Sequence, residues 1–126
     1  MRKQVQALDR GDLDGVMSSV DEDTVLDGRG AGDFFEGRAA IRGFLEGWFR
    51  AFDELDFELA EVSQLRGGVV FAVVTQDGRL VGSAGRIRQR EGWVYLCAGG
   101  SIERFTPSLD VDHARAAAER LAEERG

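Results

Sequence analysis

Six large apolar side chains recur at three- and four-residue steps after Gly37, and this pattern constrains the fold more than any other feature of the chain. They are Ile41, Phe44, Leu45, Trp48, Phe49 and Phe52. The spacing predicts an α-helix from Gly37 to Phe52 with one strongly apolar face. Because such a face must be buried against another layer, this helix is expected to form the centre of the core.

The second half of the chain has the pattern of strands separated by glycine-containing turns. The predicted strands are Phe57 to Leu65, Val69 to Thr75, Leu80 to Cys97 and Ile102 to Leu109, joined at residues 66–68, 76–78 and 98–101. Connections this short join antiparallel neighbours. The sequence therefore predicts a four-stranded antiparallel meander packed against the helix.

The remaining segments complete an α+β domain. Val5 and Leu8 indicate a first short helix, Asp12 is placed to cap a second, and Thr24 to Leu26 predicts a short strand that enters the glycine-rich loop Gly28 to Gly32. A C-terminal helix is predicted after Asp110, with Ala114, Ala118 and Leu121 on one face. We expect one domain over residues 1–126: a cone-shaped, strongly curved, mostly antiparallel sheet packed on N-terminal helices, with a C-terminal helix.

Composition narrows the function classes. A chain of 126 residues with 43% hydrophobic residues can bury a core without metals or disulfides, and the single cysteine, Cys97, cannot form an intrachain disulfide. A net charge of −7 argues against nucleic-acid binding, which depends on clustered basic residues. No apolar run is long enough to span a membrane or to form a signal peptide, and the expected location is the cytoplasm.

Several short motifs, taken in order, resemble one family over nearly the whole chain. They are Ala7-Leu8, Gly11 to Asp14, Asp23 to Val25, Phe35 to Ile41, and Gly99 to Ile102. In this order they resemble the nuclear transport factor 2-like superfamily, specifically its SnoaL-like branch. The resemblance implies a pocket between sheet and helices, frequent homodimers formed through the sheet face, and activities that include isomerases, cyclases, dehydratases and epoxide hydrolases. It also implies that many members are not enzymes.

Asp27 is the candidate catalytic residue. Its place at the end of a strand resembles that of the general-base Asp of ketosteroid isomerase, and a carboxylate against an apolar wall of Trp48 or Phe52 would have a raised pKa suited to proton transfer. The alternative is that Asp27 caps the glycine-rich turn. The resemblance places the oxyanion-hole Tyr and Asp of that isomerase near Gln4 and Gly92, so steroid isomerisation itself is not expected.

Two alternating stripes mark the strand that precedes Cys97. Arg86, Arg88 and Arg90 share one face with Val94 and would hold an anionic or oxygen-rich ligand if that face looks into the cone. The alternative is that these arginines are exposed and pair with the excess acids. On the opposite face, Glu91, Trp93 and Tyr95 are expected to form an outer, dimer-forming surface.

Two functions follow from these residues. The first is a cofactor-independent acid–base enzyme that uses Asp27, with a small apolar or oxygen-rich molecule held by Trp48, Phe52, Arg88, Arg90 and Val94. The second is a noncatalytic domain that binds a ligand or dimerises. Neither a metal nor a cofactor is expected, because the only histidine, His113, lies in a polar helix turn without a second metal ligand of its kind.

Overall fold

Four α-helices and six strands follow one another in residues 2–28 and 33–125, which are the residues that this computed structural model describes. The helices are α1 (Arg2–Asp9), α2 (Leu13–Met17), α3 (Arg38–Arg50) and α4 (Val111–Arg125). The strands are β1 (Val25–Gly28), β2 (Asp33–Glu36), β3 (Phe52–Gln64), β4 (Val69–Leu80), β5 (Ile87–Ala98) and β6 (Ser101–Ser108). None of the helices in the described ranges is long and apolar enough to cross a lipid bilayer.

The strands form one curved sheet in the order β2-β1-β6-β5-β4-β3. All neighbours are antiparallel except β1 and β6, which run parallel. The meander of the four long strands and the α+β class are confirmed. Strand β2 was not predicted, and residues 29–32 of the predicted glycine-rich loop lie outside the described residues.

Two predicted boundaries were wrong. The central helix ends at Arg50, so Phe52 begins β3 instead of continuing the apolar helix face. The predicted turn at residues 76–78 lies inside β4, and the chain reverses at residues 81–86. Gly78 allows the Phe52 ring to pack closely against β4, because a Cβ at this position would lie 2.7 Å from that ring.

The sheet is covered on both faces. We call the face that packs against α1 and α3 the inner face, with Leu8, Leu45 and Phe49 from those helices against it. The outer face is the one covered by α4. The outer cluster comprises Val69, Phe71, Val73 and Val94 from the sheet and Val111, Ala114, Ala118 and Ala122 from α4. Small residues on α4 allow the helix to lie close to the strands.

The contact between Gly92 and α4 orients strand β5. A Cβ at Gly92 would lie 2.6 Å from the Ala114 Cβ, so only glycine fits beneath the helix here. Because side chains alternate along a strand, Val94 shares the outer face with Gly92, whereas Glu91 and Trp93 lie on the inner face. The expectation that Glu91, Trp93 and Tyr95 form an outer surface is corrected: all three are buried inside the protein.

Gly92→Ala should destabilise the protein, because the added methyl group overlaps Ala114 and forces α4 away from the sheet. We expect a loss of about 1–3 kcal/mol in the free energy of unfolding, the usual cost of overpacking, measured by urea denaturation. Gly43→Ala is the matched control, since Gly43 lies within α3 with no atom within 4 Å of its Cβ position. That change should leave stability the same or raise it, and equal effects of the two substitutions would contradict the proposed packing.

Burial raises the pKa of the Tyr95 phenol, which stacks on Phe105 in the inner core with ring centroids 4.6 Å apart. A raised pKa means that the folded state disfavours tyrosinate, so ionisation of Tyr95 leaves stability unchanged below the unfolded-state pKa of about 10 and lowers it as the pH rises above that value. Tyr95 is the only tyrosine. Tyrosinate absorbance should therefore rise only together with the loss of folded structure in circular dichroism, whereas its appearance in the folded protein would contradict this burial.

Candidate functional site

A cavity of about 540 Å³ lies between the inner face of the sheet and helices α1 and α3. Its wall is mostly apolar and aromatic, with Phe44 and Trp48 from α3, Phe57 from β3, Trp93 from β5, and Phe105 from β6. Leu8, Leu26 and Leu45 add aliphatic surface. The volume is in the range typical of small-molecule sites.

A buried carboxylate stands in this apolar wall. Glu91 is only 6% exposed, and three N–H groups donate to it. Its Oε2 accepts from Gln76 Nε2 at 2.6 Å and from Gln89 Nε2 at 2.7 Å, and its Oε1 accepts from Trp93 Nε1 at 2.8 Å. Burial of a carboxylate is costly unless donors compensate it, and these donors do so.

Strand pairing and α3 together build this polar network. Gln76 on β4 lies directly opposite Gln89 on β5, and Glu91 lies two residues further along β5 on the same face. Gln76 Oε1 in turn accepts from Trp48 Nε1 of α3 at 3.2 Å. The chain from Trp48 through Gln76 to Glu91 thus connects the helix to the sheet across the cavity wall.

The ionisable groups that the described residues contribute to the wall are all acidic. Besides Glu91 they are Asp33, at the start of β2, and Asp110, which caps α4 by accepting from the His113 backbone N–H at 3.0 Å. No lysine, arginine or histidine lines the cavity within the described ranges 2–28 and 33–125. The same part of the chain contains no cluster of side chains suited to a metal ion.

Of the two pocket residues predicted in and after the central helix, Trp48 and Phe52, only one lines the cavity. Trp48 lines the cavity as expected. Phe52 does not line it, because α3 ends before this residue, and its ring instead packs against Trp48 with a centroid distance of 5.5 Å. Phe52 therefore contacts a residue of the wall without lining the cavity itself.

Asp27 is buried, with 8% of its surface exposed, but it is not part of the cavity lining. Its neighbours in β1, Leu26 and Gly28, line the cavity, whereas the Asp27 carboxylate accepts from Arg104 Nη2 at 2.5 Å. Its role as a general base stays a prediction.

The residues expected on the ligand side of β5 lie on the outer face. Arg88 is exposed and donates to Asp77 at 3.0 Å, and Arg90 is exposed beside residues 109–112. Val94 packs beneath α4. The expectation that they line the pocket is corrected, because they lie on the same face of β5 as Gly92, which packs against α4. Arg86 and Arg88 instead form ion pairs with surface acids, as the alternative interpretation of the sequence predicts.

Sequence reasoning missed Glu91, Gln76 and Gln89 as functional candidates. The stripe of Glu91, Trp93 and Tyr95 was visible, but it was assigned to the wrong face, and Gln89 and Gln76 were not considered. A usable signal was the glutamate itself, since a charged residue followed by two aromatic residues on one strand face, Trp93 and Tyr95, indicates a buried polar site when that face is covered.

Comparison with known proteins agrees with this architecture. The sequence model of the SnoaL-like domain matches residues 1–105, which confirms the resemblance found in the motifs. No curated protein sequence matches the chain.

Solved structures share the fold at low sequence identity. A hypothetical protein from Catenulispora acidiphila with a ketosteroid isomerase-like fold, in complex with trimethylamine, superposes with a TM-score of 0.78 and 12% identity over 94% of this chain and 90% of that one. A putative SnoaL-like polyketide cyclase from Shewanella denitrificans gives 0.72 and 14% over 95% and 93%. An epoxide hydrolase of the LEH-like type from M. tuberculosis gives 0.73 and 17% over 94% and 86%.

Proposed function

The chain belongs to the family of SnoaL-like domains, and from this premise we propose that it binds one small, largely apolar molecule in its cavity, with Glu91 as the polar contact. The observation that carries the proposal is the buried Glu91 carboxylate in an aromatic wall. A stability role alone explains it poorly, because well-packed apolar residues are usually at least as stabilising as a buried ionic group.

The form of the wall supports a ligand with one flat, apolar body. Five aromatic side chains line a space of about 540 Å³, while the polar groups converge at Gln76, Gln89 and Glu91 on two neighbouring strands. A site of this kind takes an apolar molecule and orients it by one polar group. The complex of the Catenulispora protein with trimethylamine is consistent with a small-molecule pocket in this fold.

The second candidate function is cofactor-independent acid–base catalysis in the same cavity. Two similar structures are a putative polyketide cyclase and an epoxide hydrolase, which supports chemistry in this fold. Glu91 is the better-placed proton acceptor, because it reaches the cavity and its Oε1 accepts only one N–H. Asp27, next to Arg104, is the acceptor that the sequence predicts.

Homodimerisation through the sheet and a cytoplasmic location remain predictions. Helix α4 covers the middle of the outer face through Ala114 and Ala118, so a dimer formed there would use the uncovered part of the sheet or α4 itself.

The binding proposal is tested with 1-aminoanthracene, a neutral probe whose fluorescence rises in apolar surroundings. We expect saturable binding to one site. Gln89→Trp should abolish it, because the larger side chain enters the cavity from the inner face of β5. Arg88→Trp is the matched control. Arg88 directly precedes Gln89 but is exposed on the outer face, so this substitution should leave binding unchanged. Equal binding by both variants would refute the assignment of the cavity.

The catalytic candidate is tested with 5-nitrobenzisoxazole, whose ring opens when a base removes its carbon-bound proton. The base takes the proton, the C–H electrons form the nitrile, and the N–O bond breaks to give the coloured 2-cyano-4-nitrophenolate as a single product, so no further reactant is needed. We expect a rate above buffer that Glu91→Gln reduces by about 10²-fold or more, the usual contribution of a general base. Asp27→Asn should retain the rate. The reverse result would support Asp27, and a native rate equal to that of buffer would contradict general-base activity towards this probe.

A further inference from the structure

We infer that the ligand of this cavity is an organic cation, specifically a substituted amine in its protonated form with an aromatic or aliphatic body. The inference rests on the proposed binding function and specifies the chemical class of the ligand. It comes from three independent features of the wall: its charge, the unfilled hydrogen-bonding capacity of one oxygen atom, and its aromatic surface.

The charge of the wall is unbalanced. Among residues 2–28 and 33–125, the ionisable groups of the wall are Glu91, Asp33 and Asp110, and none of them is basic. The donors to Glu91 are two amides and an indole, which are neutral, and no ion pair in the described residues involves this carboxylate. These donors satisfy the hydrogen bonding of the carboxylate but are neutral, so its negative charge stays unpaired and favours a cationic ligand. An anionic ligand would instead be repelled at close range.

The two oxygen atoms of Glu91 are not equivalent. Oε2 already accepts two N–H groups, from Gln76 and Gln89, whereas Oε1 accepts one, from Trp93. A carboxylate oxygen accepts about two donors, so Oε1 can accept one more. A tertiary ammonium has a single N–H and is satisfied by this one position, with a charge-assisted hydrogen bond.

The aromatic surface next to Oε1 suits the alkyl groups of such a cation. The Trp93 indole donates to that same oxygen through its N–H edge, which holds Oε1 in place for a ligand nitrogen. Trp48, held through Gln76, contributes a second indole to the wall. Indoles attract cations by their ring electrons more strongly than other aromatic side chains do, and the alkyl groups of the cation are buried at the same time.

The test compares two molecules of nearly equal shape: N,N-dimethylbenzylamine, which is protonated at neutral pH, and isobutylbenzene, its neutral isostere. Both tryptophans of the chain line the cavity, so intrinsic fluorescence reports occupancy directly. We expect the amine to bind, and Glu91→Gln to weaken its binding by about tenfold or more, the equivalent of 1.4 kcal/mol. Isobutylbenzene should bind the native protein and the variant equally. Glu58→Gln, an exposed carboxylate on β3, is the matched control and should change neither affinity.

The possible outcomes separate this inference from the proposed function. Isobutylbenzene binding without any effect of Glu91→Gln on the amine would overturn the cation inference and leave the binding function intact. If neither molecule binds to the native protein, both fail. Phenylacetate, an anion, is tested on the native protein alone, so its result does not depend on whether the Glu91→Gln variant folds. We expect it to bind at least about tenfold more weakly than the amine. Binding as tight as that of the amine would overturn the inference.

Discussion

The packing of α4 on the outer face of the sheet at Gly92 determines the rest of the structure. Because no side chain fits between strand β5 and Ala114, the residue of this strand that lies beneath the helix has to be glycine. The alternation of side chains then directs Glu91 and Trp93 into the cavity and Val94 beneath the helix. A reversal of the two faces of β5 would bury arginines in the aromatic core and expose the tryptophan. Gly92 therefore marks the outer face of β5, and the polar site lies on the opposite face.

The polar network in the cavity wall illustrates how a buried charge is tolerated. Glu91 is compensated by three N–H donors, and Gln76 uses its amide oxygen to accept from Trp48, so each member of this network has a hydrogen-bond partner. Among the described residues, none has a buried side-chain nitrogen or oxygen without a hydrogen bond. Such a satisfied network holds the aromatic walls in place on both sides of the cavity, because its members belong to α3, β4 and β5.

Much of the fold could be predicted because it depends on local patterns. The helical spacing from Ile41 to Phe49 identified α3, and the capping of α2 by Asp12 was visible in the sequence. The errors occurred where a residue serves packing at a distance. Gly78 looked like a turn residue but makes room for the Phe52 ring, and Asp33 to Glu36 forms a strand only because β1 lies beside it. Local patterns contain no information about such partners.

The sequence by itself determined the α+β class, the family resemblance, the apolar helix, and the two alternating faces of β5. Only the tertiary structure decided which face is inside, since both stripes contain charged and apolar residues and periodicity is the same for either orientation. That decision moved the candidate site from Arg88, Arg90 and Val94 to Glu91 and its amide partners. Asp27 keeps its predicted place at the end of a strand, but Arg104 and the strand's alternation place it outside the cavity wall. Burial depends on what covers a strand, and that is a property of the folded chain alone.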